Sequence, residues 1–322
     1  MKIMDGFQKF IPAVSIYVIL YFKINITSKE VHPMLIFLTG FLFSGLAAFA
    51  ASRLAEPKQN LLLNILAVLL PLSEIWKQLL LTAGNGGSYL WWYFPFQLCS
   101  MPLYLLPLRQ LLLAGQSRCR TAQKTKAPKG ICSAVPDSGS RKPRVCVFMI
   151  RTLTDFLADF GLLAGIFAFA DQTGMHYSLS VLTLHSYLWH FIMIFLGLFL
   201  ILSGQCRRYS HAQEAGKRLP CLRSFLHAAA LFLLLAAIAE FLNFLLHAKG
   251  HIDMFYISPW EPASQVILRD AAAWIGRGPE IVLYLCLILL GGFLIHMATC
   301  RFRHILPPYS DRKQAPLKNA KS

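Results

Sequence analysis

The chain has 322 residues, 56% of them hydrophobic and only 14% charged, with a mean hydropathy of +0.52. Soluble domains carry about 25% charged residues, so this composition excludes a water-soluble globular protein. The formal net charge of +16 invites a nucleic-acid reading, which the placement of that charge argues against.

Apolar runs long enough to cross a ~30 Å hydrocarbon layer recur at 7–25, 31–52, 60–82, 89–113, 146–170, 179–203, 222–247 and 279–301. None alternates with period two, so the expectation is an all-α, polytopic membrane helix bundle of seven or eight transmembrane helices. The first run, "FIPAVSIYVILYF", is short and holds Pro12, so residues 1–30 read as a first span or an N-terminal anchor. The fourth run begins "WWYFPFQLCSMPLYLLP", with Pro95, Pro102 and Pro107 in an otherwise apolar stretch. A helix in lipid tolerates such breaks where the freed backbone groups face a cavity. Residues 31–301 form the membrane domain and 302–322 a disordered basic tail. The 248–278 connection mixes Trp260, Trp274 and Tyr256 with charges and is expected to be ordered over the membrane surface.

Basic and neutral connections alternate. The 114–145 connection holds eight Lys/Arg and one acid and reads as a flexible loop, whereas "TAGNGGSY" (82–89) carries no charge. Arg207, Arg208, Lys217 and Arg218 crowd the 204–221 connection, while "DQTGMHYS" (171–178) has no Lys or Arg. This is the positive-inside pattern, which puts the basic connections and the C-terminus in the cytoplasm of a multi-pass protein of the plasma membrane. Anionic lipid is the partner expected at those connections, and no nucleic acid. Cys119, Cys132, Cys206, Cys221 and Cys300 fall in or beside cytoplasmic segments, so no structural disulfide is expected. No CxxC pair is present and no zinc site, metal or other cofactor is expected.

Ionisable residues within lipid face a cavity or a partner. Counted at ~1.5 Å per residue, Glu74, Cys99, Asp159, His185, His190 and Glu240 fall about 10–17 Å below the outer boundary, in one slab. Each has a structural reading too. Glu74 and Lys77 are three apart and form an intrahelical ion pair; Asp155 and Asp159 pair with Arg151 or another helix; Glu240, Asn243 and His247 share a face as interhelical glue. His185 and His190 stand roughly 140° apart around a helix and cannot easily serve one metal together. Cys286 reads as a small apolar filler.

A thiol in hydrocarbon is inert unless an imidazole takes its proton, and a carboxylate can orient that imidazole. Cys99 as nucleophile, His190 or His185 as base, and Asp159 or Glu240 as orienting group, with Gln97 and Asn243 nearby, make such a constellation. The reachable electrophile is a lipid ester carbonyl. A proton-coupled or small-solute transporter, or a membrane protein without turnover, accounts for the same buried acids and histidines.

"PFQLCSMPLYLLPL" (95–108), "LTLHSYLWHFIMIFLGLFL" (182–200), "EFLNFLL" (240–246) and "GRGPEIVLYL" (276–285), with His32, resemble the YwaF family of integral membrane proteins, related to transmembrane protein 164. The resemblance implies an acyltransferase acting on phospholipids or lysophospholipids through a cysteine. It carries the nucleophile to Cys99 and favours His190 over His185 as base. Two departures stand out: Gln97 occupies a place where the family often has histidine, and "HAKGHIDMFY" keeps Tyr256 but lacks the Asn-Tyr pair.

Overall fold

The computed structural model describes residues 33–126, 141–170, 172–208, 218–263 and 265–305. The expected first span and most of the basic tail lie outside them, as does His32. All regular structure among the described residues is helical: α1 (Pro33–Ser52), α2 (Glu56–Gly84), α3 (Pro102–Lys126), α4 (Arg141–Phe156), α5 (Leu162–Phe167), α6 (Ser180–Leu202), the short α7 (Gln205–Arg208), α8 (Arg218–Leu246), α9 (Val266–Ile275) and α10 (Arg277–Ile305). Six stretches, in or overlapping α1, α2, α3, α6, α8 and α10, are long and apolar enough to cross a membrane. The chain is an integral membrane helix bundle.

The fifth expected span departs from a regular helix. A π turn, Leu157–Gly161, joins α4 to α5, so the rod runs from Arg141 to Phe167 with one widened turn. This rod is the centre of the bundle: Leu153 through Ala164 are all buried. Phe160 stacks on Phe232 of α8 with ring centroids 5.1 Å apart. Small residues set the helix spacing. A Cβ built on Gly197 of α6 would lie 2.7 Å from the Leu162 Cβ, and one on Gly292 of α10 would lie 2.6 Å from the Phe160 ring. Without an aqueous driving force, close backbone approach of this kind is what joins membrane helices. The outer surfaces of α2 and α8 present Leu61, Val68, Leu72, Leu233, Leu234 and Phe241, as a lipid-facing surface should.

Two expectations about connections are corrected. The helix of α3 continues through Lys126 and α4 begins at Arg141, so the loop expected over 114–145 is helical at both ends. Its sequence explains this: Ala, Gln, Arg and Lys after Leu113 are strong helix formers, and the next proline is Pro128. The ends of α8 and α10 are also joined by a disulfide, Cys221–Cys300, where none was expected. Charge patterning assigned a compartment to each cysteine but carried no information on their separation in space.

At the end of the bundle that carries the basic connections, the fully buried Arg109 binds the helices together. Its Nε donates to Thr154 Oγ1 (2.7 Å), and its two terminal nitrogens donate to Gln110 Oε1 (2.5 Å) and Gln205 Oε1 (3.1 Å). Gln59 extends the network to the carbonyls of Ser52 and Leu54.

Candidate active site

The opposite end of the bundle gathers the entry to α3 and the connection between α8 and α9. The fourth expected span is not helical at its start. From Trp91 to Met101 the chain runs through two short 3₁₀ turns, Trp91–Tyr93 and Leu98–Ser100, before α3 begins at Pro102. The prolines explain the break. Pro95 lies in the irregular stretch, and Pro102 takes the first helical position, where its missing N–H is no loss. Pro107 is carried inside the helix. Cys99 therefore sits on a turn at the N-terminal end of α3, where the helix dipole favours negative charge.

A cavity of about 340 Å³ opens at this turn. Cys99, Gln97, His185 and His190 all line it, together with Glu74 and Lys77 of α2 and with Tyr177, Tyr256 and Tyr284. Four of the seven residues singled out from the sequence are thus gathered from two separated segments around one space. The cysteine and α6 are also joined directly: the Trp189 indole N–H donates to the Cys99 carbonyl at 3.0 Å, one residue before His190.

The two histidines are held differently. His190 is buried, and its Nδ1 lies 2.7 Å from the Ser186 carbonyl. A carbonyl only accepts, so Nδ1 carries the hydrogen and Nε2 keeps the lone pair, which is the tautomer a general base requires. His185 lies between the rings of Trp76 and Trp189, each 5.8 Å away between centroids. Both of its ring nitrogens are buried with no hydrogen-bond partner among the described residues. A buried polar group left open toward a cavity is suited to a ligand.

Glu74 and Lys77 form the expected ion pair, Lys77 Nζ to Glu74 Oε1 at 2.8 Å, and Gln78 donates to the same oxygen at 2.6 Å. The pair nonetheless borders the cavity, so one structure serves both readings.

Gln97 acts as a tether. Its Nε2 donates to the Asp253 carbonyl at 2.6 Å, tying the turn of Cys99 to the connection between α8 and α9, while its Oε1 is buried without a partner among the described residues. That connection is ordered, as expected, and held in an unusual shape. Phe255 and Tyr256 both have positive φ, 58° and 59°, a conformation that costs non-glycine residues on the order of 1 kcal/mol or more each. Arg277 stabilises it by donating to the carbonyls of Tyr256 (3.0 Å) and Ser258 (3.1 Å) while also pairing with Glu280. Asn243 holds it from the other side, through Met254 N–H to Oδ1 (2.8 Å) and Nδ2 to Met254 O (3.1 Å). Burial raises the Tyr256 phenol well above its ordinary pKa and raises that of Tyr177, so both remain O–H donors at neutral pH.

Three of the supporting residues stand elsewhere. Asp159 faces His296, Oδ2 to Nδ1 at 2.6 Å, away from the residues lining the cavity. Glu240 reaches Asn243 at 3.4 Å and does not line the cavity, and Asn243 works on the backbone of Met254. The Ser186 carbonyl therefore holds the His190 ring where a carboxylate was expected. Equal depth put Asp159 and Glu240 in one slab with Cys99 and the two histidines, but their side chains meet other partners. The sequence reading passed over Tyr177 and Tyr284, Arg109, His296 and the clamp that Arg277 forms with Asp253, 3.6 Å apart. The polar Asp253 and Arg277 flanking an aromatic pair were the only signal for the clamp.

In comparisons with known proteins, no family model, no curated protein and no solved structure matches this chain.

Proposed function

We propose that the chain is a membrane-embedded acyltransferase of the kind its resemblance to the YwaF family implies, using Cys99 as nucleophile and His190 as base on phospholipids and lysophospholipids. The observation that carries this is the shared cavity: a thiol, two imidazoles and an amide from distant segments border it, with the Cys99 carbonyl held by α6. His190 Nε2 takes the proton as Cys99 Sγ attacks an ester carbonyl. The acyl–oxygen bond breaks, the departing lysolipid oxygen recovers that proton, and an acyl-cysteine remains. A second lysolipid hydroxyl then attacks the thioester, gives its proton to Nε2, and the thiol is restored. In this reading the Tyr256 hydroxyl, from a residue lining the cavity, and the N-terminal end of α3 stabilise the developing oxyanion. Lys77, paired at 2.8 Å with Glu74, suits a lipid phosphate at the cavity wall. This reading takes the cavity to lie in the outer half of the bilayer, as the positive-inside pattern of the sequence implies.

The test is mass spectrometry of the purified protein after incubation with phospholipid carrying a labelled acyl chain. A hydroxylamine-sensitive acyl adduct on Cys99, absent in Cys99→Ala and retained in Cys286→Ser, is the expected result. A folded, lipid-loaded preparation without that adduct overturns the nucleophile. Glu74 and Lys77 at the cavity favour one second reading, a small-solute or proton pathway; it requires transport that survives Cys99→Ala and fails in Glu74→Gln.

A further inference from the structure

We propose that Cys221, His296 and Cys300 form a thiol-gated site for a zinc-class divalent cation, closed while the two sulfurs are joined and open once they are reduced. The site lies at the end of the bundle remote from the Cys99 cavity and stands independently of the acyltransferase reading. One ligand atom from each of the three residues lies within 4.8 Å of the others. His296 and Cys300 are one helical turn apart on α10, so they present the same face. Cys221, near the start of α8, meets that face from the neighbouring helix through the disulfide.

The second observation is how His296 is held. The ring is fully buried, with Nδ1 2.6 Å from Asp159 Oδ2 and Nε2 3.0 Å from the Cys221 carbonyl oxygen. Metal-binding histidines almost always give the far ring N–H to a carboxylate, a backbone carbonyl or water, which fixes the ring and directs the other nitrogen at the metal. Asp159 occupies that position, on the π turn at the centre of the bundle. The Nε2 it directs is already against the backbone of one ligand cysteine. Two thiolates and an imidazole are the donor set zinc prefers, and three protein ligands leave a fourth position open. The paired thiolates also offset the charge of a divalent cation, which a half-buried site requires.

The gate follows from sulfur chemistry. Joined sulfurs are not thiolates and do not ligate. A dithiol reductant opens the pair by transferring two electrons and two hydrogens: its own sulfurs become a disulfide and Cys221 and Cys300 become thiols. As the cation arrives, both thiols release their protons and Nε2 releases its hydrogen from the Cys221 carbonyl. The basic connections at this end place it inside by the positive-inside pattern, where thiols are kept reduced, so the open state is the resting one in that compartment.

The test titrates Zn²⁺, in competition with a chromophoric chelator, into the full chain in detergent, oxidised or reduced with a phosphine. The reduced protein should take up one equivalent more than the oxidised protein. Cys221→Ser/Cys300→Ser and His296→Ala should each lose that equivalent, and Asp159→Asn should weaken it by about 10–100-fold. Equal uptake by the oxidised and reduced chains overturns the proposal, as does an extra equivalent that survives in the double-serine variant. If a variant fails to fold, the oxidised-versus-reduced comparison on the unaltered chain, with thiols counted by alkylation, decides alone.

Discussion

Asp253 makes the shape of the connection over the cavity sensitive to pH, and Asp253→Asn isolates its share. The carboxyl is 2% exposed, and its Oδ1 accepts the Ser258 N–H at 2.8 Å. Burial lifts its pKa from 3.8 to about 7, and the Ser258 N–H and Arg277, 3.6 Å away, only partly oppose the rise. Between those two values the unfolded chain has lost its proton while the folded chain keeps it. Folding is therefore favoured most below pH 4, and the contribution is lost as pH climbs through 7. Roughly three units at ~1.4 kcal/mol each set a ceiling near 4 kcal/mol, so we expect on the order of 2–4 kcal/mol of stability to disappear between pH 4 and 8. Asn keeps an oxygen for Ser258 N–H and cannot ionise. Unfolding measured in detergent across that range should give a slope for the unaltered chain that Asp253→Asn lacks. Taking the difference between the two curves isolates the Asp253 contribution. Identical slopes, or a difference that grows toward low pH, would refute the reasoning.

Trp189→Phe removes the indole bond to the Cys99 carbonyl while keeping most of the packing. It should cost roughly 1–3 kcal/mol in unfolding measurements and slow adduct formation on Cys99 by about 10–100-fold through loss of positioning. Arg109→Met should destabilise the bundle by about 3 kcal/mol, because Thr154, Gln110 and Gln205 lose a buried donor together; thermal unfolding reads this directly. Gly197→Ala places a methyl 2.7 Å from the Leu162 Cβ and should cost about 1–3 kcal/mol by forcing α6 away from the central rod.

Most of the helix pattern was legible because lipid demands a visible signal: an apolar run of sufficient length. The expected 179–203 and 279–301 spans correspond to Ser180–Leu202 and Arg277–Ile305. What hydropathy does not encode is interruption. The π turn at Asp159 and the 3₁₀ entry to α3 lie inside apolar sequence, and only the prolines announced the second. The site was legible in depth but not in direction. Counting residues along each helix gives height, which gathered Cys99, His185 and His190 correctly. Height says nothing of azimuth, so Asp159 and Glu240 were grouped with them although they face other partners. His296 went unnoticed because its partners Cys221 and Cys300 were judged by loop location, when its spacing of four from Cys300 was the available cue.

On the proposed mechanism, the separation of Asp159 from the cavity has a consequence for how the thiol is activated. The thiol site has imidazoles fixed by a carbonyl and by aromatic rings, and no carboxylate touches either one among the described contacts. A carbonyl fixes the tautomer of His190 but puts no full negative charge beside it, so the imidazolium formed during attack draws less stabilisation than in a Ser-His-Asp arrangement. Proton removal and attack on the carbonyl are then expected to be concerted, with the Cys99 thiol neutral at rest. Asp159→Asn tests the division of labour between the two ends of the molecule. It should leave the rate of adduct formation on Cys99 within about twofold, since Asp159 does not line the cavity, while weakening cation binding at His296. If the variant is folded and the Cys99 adduct rate falls as far as it does in His190→Gln, then Asp159 belongs to the catalytic machinery after all, and the assignment of the carbonyl as the sole orienting group fails.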